Sequence, residues 1–169
     1  MTERTQVFER GDWSFGAAGT IPGPVRTMGA EFPVEGLAFD AAVSNEQAFL
    51  QLAAQDYGQG NITVRIEWYA DSASSGDVVF GASLAAITPN TDTQDIETKA
   101  FDAENTVTDT HLGTAGQRLH SCDIVVSNLD SLANGDAVWL RIRRLGADGA
   151  DTMTGDAIIT RVKVLYSDV

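Results

Sequence analysis

Two histidines, one cysteine and 24 acidic side chains are the groups in this sequence that could carry reaction chemistry. His111 and His120 are the only histidines, and no paired-histidine zinc motif is present. His111 falls in a polar stretch read as a loop, and His120 on a strand face. A histidine in that setting is more often satisfied in the core or at an interface than a metal ligand, because nothing positions a second ligand. Cys122 lies in the apolar run Ser121-Cys122-Asp123-Ile124-Val125-Val126. A single thiol forms no intrachain disulfide and no thiolate cluster, and in a strand it behaves as a small hydrophobe. Asp148, Asp151 and Asp156 share one loop; Asp92, Asp95 and Glu97 share another. Loop carboxylates can bind Ca²⁺, but the EF-hand spacing is absent and a solvated acidic loop is the default. A glycosidase needs two carboxylates converging across a cleft, which acids this numerous do not single out. There is no nucleophile elbow and no phosphate-binding glycine loop. Gly58-Gln59-Gly60 precedes a strand and reads as a turn. The sequence therefore points to no enzyme, no catalytic residue, no metal and no cofactor.

Binding residues are easier to nominate. Arg141, Arg143 and Arg144 form the one dense basic patch, and alternation puts Arg141 and Arg143 outward beside Trp139. They either pair across strands with acids such as Glu67 or form a docking face, where Arg and Trp are typical anchors. Phe8, Trp13 and Phe15 sit in a Gly/Pro-rich start and need burial. They pack on their own domain or on a neighbouring subunit. Tyr57, Tyr69 and Trp139 could stack on sugar rings.

Strands must position these side chains. Ile62, Val64, Ile66 and Trp68 alternate with Thr63, Arg65, Glu67 and Tyr69, which gives one apolar and one solvated face. Val78 to Leu84 is a second apolar run, and the expectation is that it returns along the first as an antiparallel pair at the centre of the fold. Further strands are read at Gly36–Asp40, Leu119–Ser127, Asp136–Leu145 and Ala157–Tyr166. The last is expected to align Ile158, Thr160, Val162, Val164 and Tyr166. Asn134-Gly135 is a strong turn pair. Residues 45–54 are ambiguous: Phe49, Leu50 and Ala53 fit a helix that Ser44 and Gln47 would cap, whereas Ala48, Leu50 and Leu52 share a strand face. The all-β context selects the strand. Thr88 to Gly116 is a long polar excursion of the kind that is usually functional or folded on itself, with short strands expected near Lys99–Phe101 and Asn105–Thr108.

The expected architecture is an all-β, jelly-roll-like β-sandwich of about eight antiparallel strands over residues 37–169. Residues 1–36, broken by Gly11, Gly16, Gly19, Gly23 and Gly29 and by Pro22, Pro24 and Pro33, form an extended N-terminal arm with one short strand near Trp13. A chain of 169 residues, 43% of them hydrophobic, can bury a full core. Eleven basic against 24 acidic side chains leave a formal charge of −13, which repels phosphate backbones and anionic lipid. Direct nucleic-acid and membrane partners are not expected. Met-Thr-Glu-Arg-Thr-Gln offers no basic segment followed by an apolar core, so no signal peptide is read.

From Phe39 almost to the C-terminus the chain resembles jelly-roll virion structural proteins of tailed bacteriophages. The order and spacing of Phe39-Asp40, Asp56-Tyr57-Gly58, Glu67-Trp68-Tyr69-Ala70, Gly76-Asp77-Val78-Val79-Phe80, Val107-Thr108-Asp109, Leu119-His120, Val138 to Arg144, Gly155-Asp156-Ala157 and Val164-Leu165-Tyr166 carry the resemblance. It implies a non-enzymatic capsid decoration (cement) protein, made in a host cytoplasm and placed on the capsid exterior. Its partners would be the major capsid protein and itself, as a homotrimer. Phe8, Trp13, Phe15, Trp139, Arg141 and Arg143 are the candidate partner contacts. The alternative is a carbohydrate- or receptor-binding module of a phage tail or fibre.

Overall fold

Alternating burial along Ile62–Trp68, His120–Val126 and Ala137–Arg144 is the rule that builds the core of this molecule. The computed structural model describes residues 2–16, 20–43, 46–72, 75–113 and 117–168. Among them the strands are β1 (Glu3–Phe8), β2 (Ser14–Phe15), β3 (Gly23–Met28), β4 (Pro33–Phe39), β5 (Gln47–Ala53), β6 (Ile62–Ala70), β7 (Asp77–Ile87), β8 (Asn105–Thr110), β9 (His120–Val126), β10 (Ala137–Arg144) and β11 (Ala157–Ser167). One 3₁₀ turn, Arg10–Asp12, lies between β1 and β2. The ambiguous segment is a strand, as the all-β context selects; Ser44, the proposed helix cap, lies outside the described residues.

The strands form two antiparallel sheets. One runs β3-β4-β11-β6-β9, with β1 also paired to β11; the other runs β2-β5-β10-β7-β8. Strands β4 to β11 alone give β4-β11-β6-β9 facing β5-β10-β7-β8, an eight-stranded jelly roll. Val64, Ile66, Val138, Ile142 and Val162 all lie in the core between the sheets, each no more than 1% exposed.

Four expectations need correction. β6 and β7 do not pair: β6 bonds to β11 and β9, and β7 to β10 and β8. Alternation fixes which face of a strand is buried but not which strand lies beside it, and the jelly roll sends these two to opposite layers. Residues 1–36 are extended, as Gly and Pro demand, but they are woven into both sheets, and β4 runs across the expected boundary at residue 36. The register of β11 slips between Ile159 and Arg161, a bulge that takes Ile158 and Thr160 off the inner face and brings Ala157 and Ile159 onto it. Of the two short strands in the excursion, only that at Asn105–Thr110 forms. Asn134-Gly135 is a turn as read, with Gly135 at φ 87°, a conformation glycine adopts without strain.

The bulge in β11 also marks a fork. On one edge β11 pairs first with β4 (Ala157↔Phe39 to Ile159↔Leu37) and then with β1 (Val162↔Phe8 to Ser167↔Glu3). The remainder of β4 pairs with β3 alone, so the two form a hairpin that leaves the sheet. Gly36 stands where they part. A Cβ there would come within 2.5 Å of the Ile159 carbonyl oxygen, so a side chain would push the strands apart.

Candidate functional site

The fork leaves a groove on the outer face of the six-stranded sheet, about 890 Å³ in volume. Its floor is Glu67 and Tyr69 of β6 with Thr160 and Arg161 at the bulge of β11. One wall is the β3–β4 hairpin, through Thr27, Gly29, Phe32, Pro33, Val34 and Glu35. Gln117 and Leu119, just before β9, form the other, and Glu9, Arg10 and Gly11 close one end. The alternation that buries Ile66 and Trp68 is what turns Glu67 and Tyr69 outward. Phe32 is 68% exposed and Leu119 61% exposed, so the rims carry apolar surface. The tip of the hairpin is pinned by the Gly29 N–H donating to the Phe32 carbonyl at 3.0 Å.

The charges in the groove are held in a lattice of pairs. Arg161 bridges Glu9 (3.2 Å) and Glu67 (3.1 Å), and Lys163 donates to Glu67 from the neighbouring strand position. Arg10 and Arg26 both reach Glu35 at 3.3 Å. The hydrogen bond from Lys163, helped by Arg161, holds the Glu67 carboxyl below the usual range despite partial burial. Gln117 donates to the Asp71 carbonyl at 2.8 Å, which fixes the wall before β9. Among the described residues no hydrogen bond engages the Tyr69 hydroxyl, and the tyrosine is 7% exposed. The groove thus offers a phenol, an amide, fixed charges and two apolar rims, a mixture suited to a polyhydroxylated chain with apolar ring faces.

The residues nominated from sequence are spread over the molecule. Phe8 and Trp13 are 8% and 9% exposed and belong to this chain's own core; Phe15, on the edge strand β2, is 43% exposed. Trp139, Arg141 and Arg143 lie on the outer face of the five-stranded sheet. Trp139 borders a shallow hollow of about 370 Å³ with Gln51 and Pro89. The pairing of the arginines with Glu67 is corrected: Glu67 belongs to the other sheet. Glu104 accepts from Arg143 at 2.6 and 2.9 Å and lies 3.9 Å from Arg141. The ring of Phe101 stacks on Phe49 (5.9 Å) and carries Arg141 over its face at 4.9 Å. The polar excursion is therefore a strap, folded over its own sheet. Of the three rings suggested for sugar stacking only Tyr69 reaches the groove; Tyr57 is buried, its hydroxyl donating to the Gly60 carbonyl.

The loop acids have local partners. Asp151 is buried against Arg144 at 2.7 Å, Asp148 and Asp95 accept from backbone N–H groups two residues on, and Asp92 accepts from Thr88. Among the described residues no three His, Cys, Asp or Glu side chains converge so as to hold a metal ion. Phe32 and Gln117, central to the groove, carried no sequence signal. Phe32 reads as one more residue in a Gly/Pro-rich start, and only the fork at β11 shows that this start makes a wall.

No family model matches the chain, and no curated protein matches it in sequence. Solved structures with a similar course of strands include a family 11 carbohydrate-binding module from Clostridium thermocellum in complex with a β-1,3-1,4-mixed-linked tetrasaccharide. It is 6% identical with a TM-score of 0.48, over 98% of this chain and 96% of that one. A CBM22-1 xylan-binding domain from Paenibacillus barcinonensis is 11% identical with a TM-score of 0.46, over 98% and 95%. A CBM36 module in complex with calcium and xylotriose is 13% identical with a TM-score of 0.46, over 94% and 98%. Identities and scores this low leave the occupant of the groove open. The class the coordinates define is the jelly-roll β-sandwich with a walled groove on one outer face.

Proposed function

We infer that this chain is a non-catalytic carbohydrate-binding module whose groove receives a segment of a saccharide chain. The observation that carries the reading is the groove itself. Its floor includes Tyr69, 7% exposed, between rims formed by the exposed side chains of Phe32 and Leu119. Sugar rings expose apolar C–H faces and a girdle of hydroxyls, so they pair best with exposed aromatic or aliphatic surface beside fixed donors and acceptors. Arg161, Glu67, Glu9 and Gln117 are already oriented by one another or by the backbone, which lowers the ordering cost of binding. The same pairing argues against hydrolysis. Glu67 stays ionised, so it cannot supply the proton a glycosidase gives its leaving group. Shell decoration asks instead for anchors reaching a neighbouring chain, and Phe8 and Trp13 are occupied in the core of this one.

A glycan array tests the reading. Wild-type protein should give hits, and Phe32→Ala should weaken them about tenfold, or ~1.4 kcal/mol. Tyr69→Phe, which removes only the hydroxyl, should weaken them less. An array without hits, or Phe32→Ala with undiminished binding, would overturn it.

A further inference from the structure

Directly beneath the wall formed by Gln117 and Leu119, two histidines are packed inside the sandwich. His111, just after β8, and His120, the first residue of β9, are each 4% exposed, with ring centres 5.0 Å apart. His120 stacks on Trp68 at 4.2 Å, and the Trp68 indole N–H donates to Asp109 at 2.8 Å. The Nε2 atoms of both histidines are buried without a hydrogen-bond partner. His111 Nδ1 accepts from the Gly113 N–H at 3.2 Å, so the neutral ring carries its proton on Nε2. That tautomer leaves His111 Nε2 no lone pair for a metal.

The charged and titratable groups facing His120 are Asp109 from β8, His111 beyond it, Arg118 from its own approach and Cys122 two residues along the same inner face. Burial pushes the His120 pKa down. Asp109 opposes this from 3.7 Å, and His111 and Arg118 add to it. Burial pushes the Cys122 thiol up to about 12, so it stays neutral throughout the range considered.

We propose that His120 makes the groove pH-sensitive: neutral, it holds the Gln117–Leu119 wall in place beside the floor strand, and protonated, it frees that wall. The connection is covalent and short. Leu119 lines the groove and His120 is the next residue; Tyr69 lines the groove and Trp68, the stacking partner of His120, is the residue before. A charged His120 ring, stacked on Trp68 and buried, would have Asp109 at 3.7 Å as its one counterion among the described residues. The freed wall is the state in which His120 regains water and its ordinary pKa, so acid favours it. This inference rests on the groove reading, as the regulation of that same site.

Backbone hydrogen exchange of residues 117–121, followed without ligand between about pH 8 and pH 5 and corrected for intrinsic rates, reads the wall directly. Wild type should lose protection there by roughly tenfold or more while the protection of β10 is kept. His120→Phe keeps a ring on Trp68 and cannot be protonated, so it should hold its protection; His120→Gln serves if the Phe variant does not fold. For whichever glycan binds wild type at neutral pH, affinity should fall in step with protection in wild type and stay constant in the variant. Wall protection that does not change with pH in wild type, or changes equally in wild type and the variant, would overturn the proposal. Absence of any bound glycan, with the protection difference intact, would remove the groove's ligand and leave the switch standing.

Discussion

Trp68 of β6 and Phe80 of β7 meet edge to face with ring centres 5.7 Å apart, although their strands belong to different sheets. The two segments are close in sequence, yet they touch across the core rather than along a hydrogen-bonded ladder. Both side chains are fully buried. Phe80→Ala should therefore destabilise by about 3–5 kcal/mol, the cost of an aromatic deletion inside a closed core. Urea unfolding would check this; a loss under ~1 kcal/mol would mean the sheets are not packed at this point.

Arg144 and Asp151 form a salt bridge that is sealed from water, and the guanidinium also donates to the carbonyls of Phe39, Met153 and Gly155. It ties the acidic loop to the end of β4. Removing one partner strands a buried charge, so Asp151→Asn should cost about 3–5 kcal/mol. Replacing both, as Arg144→Met with Asp151→Leu, leaves the carbonyls of Phe39, Met153 and Gly155 without their donor, but should cost less than the sum of Arg144→Met and Asp151→Asn. Chemical denaturation of the three variants measures the coupling.

The strap over the five-stranded sheet is held by Phe101 on Phe49 and Arg141, by Glu104 on Arg143 and Lys99 on Asp130 at 2.8 Å, and by hydrogen bonds of Asp102 with Leu84 and Asp130 and of Ala103 with Asn128. Phe101→Ala should raise hydrogen exchange across residues 99–104 and lower global stability by only about 1–2 kcal/mol. Unchanged exchange would show that the charged pairs and the hydrogen bonds of Asp102 and Ala103 hold the strap without the ring.

Two carboxylates should respond to pH with opposite signs. Glu67 has a lowered pKa in the fold, through Lys163 first and then Arg161. Its contribution is present at neutral pH and is lost as pH falls through its lowered folded value. Asp156 has a raised pKa, from burial first and then from Asp40 and Asp71, with Arg144 opposing. It favours the fold when protonated and costs stability once pH rises through its folded value. Glu67→Gln should thus weaken the protein at neutral pH, and Asp156→Asn should strengthen it there. Both differences should shrink toward zero below the carboxylate range. Thermal melts at neutral and acid pH decide the signs.

What the sequence disclosed and what it hid follow from one distinction. Period-two alternation places Val64, Ile66, Val138 and Ile142 in a core, because facing is a local property of a strand. It says nothing about neighbours, so it does not disclose that β6 and β7 lie in opposite sheets. The bulge at Ile159–Arg161 falls where Thr160 and Arg161 stand side by side, a break in alternation that does not by itself say which residue is displaced, and Thr160 changes face because of it. Gly and Pro in the first 36 residues forbid a helix but permit edge strands, and β1 and β3 are such strands. The groove is the product of that bulge, that fork and that hairpin together. Tyr69 was readable as an outward aromatic; Phe32 and Gln117 become groove residues only through long-range pairing.

The decisive measurement is a titration of ¹⁵N-labelled protein with neutral oligosaccharides (cellohexaose, xylohexaose and mannohexaose), followed by amide chemical shifts. The groove reading predicts saturable shifts clustered on Thr27, Phe32, Tyr69, Gln117 and Leu119 for at least one of them. Shifts centred instead on Trp139 and Arg141, or none with any of the three, would contradict it.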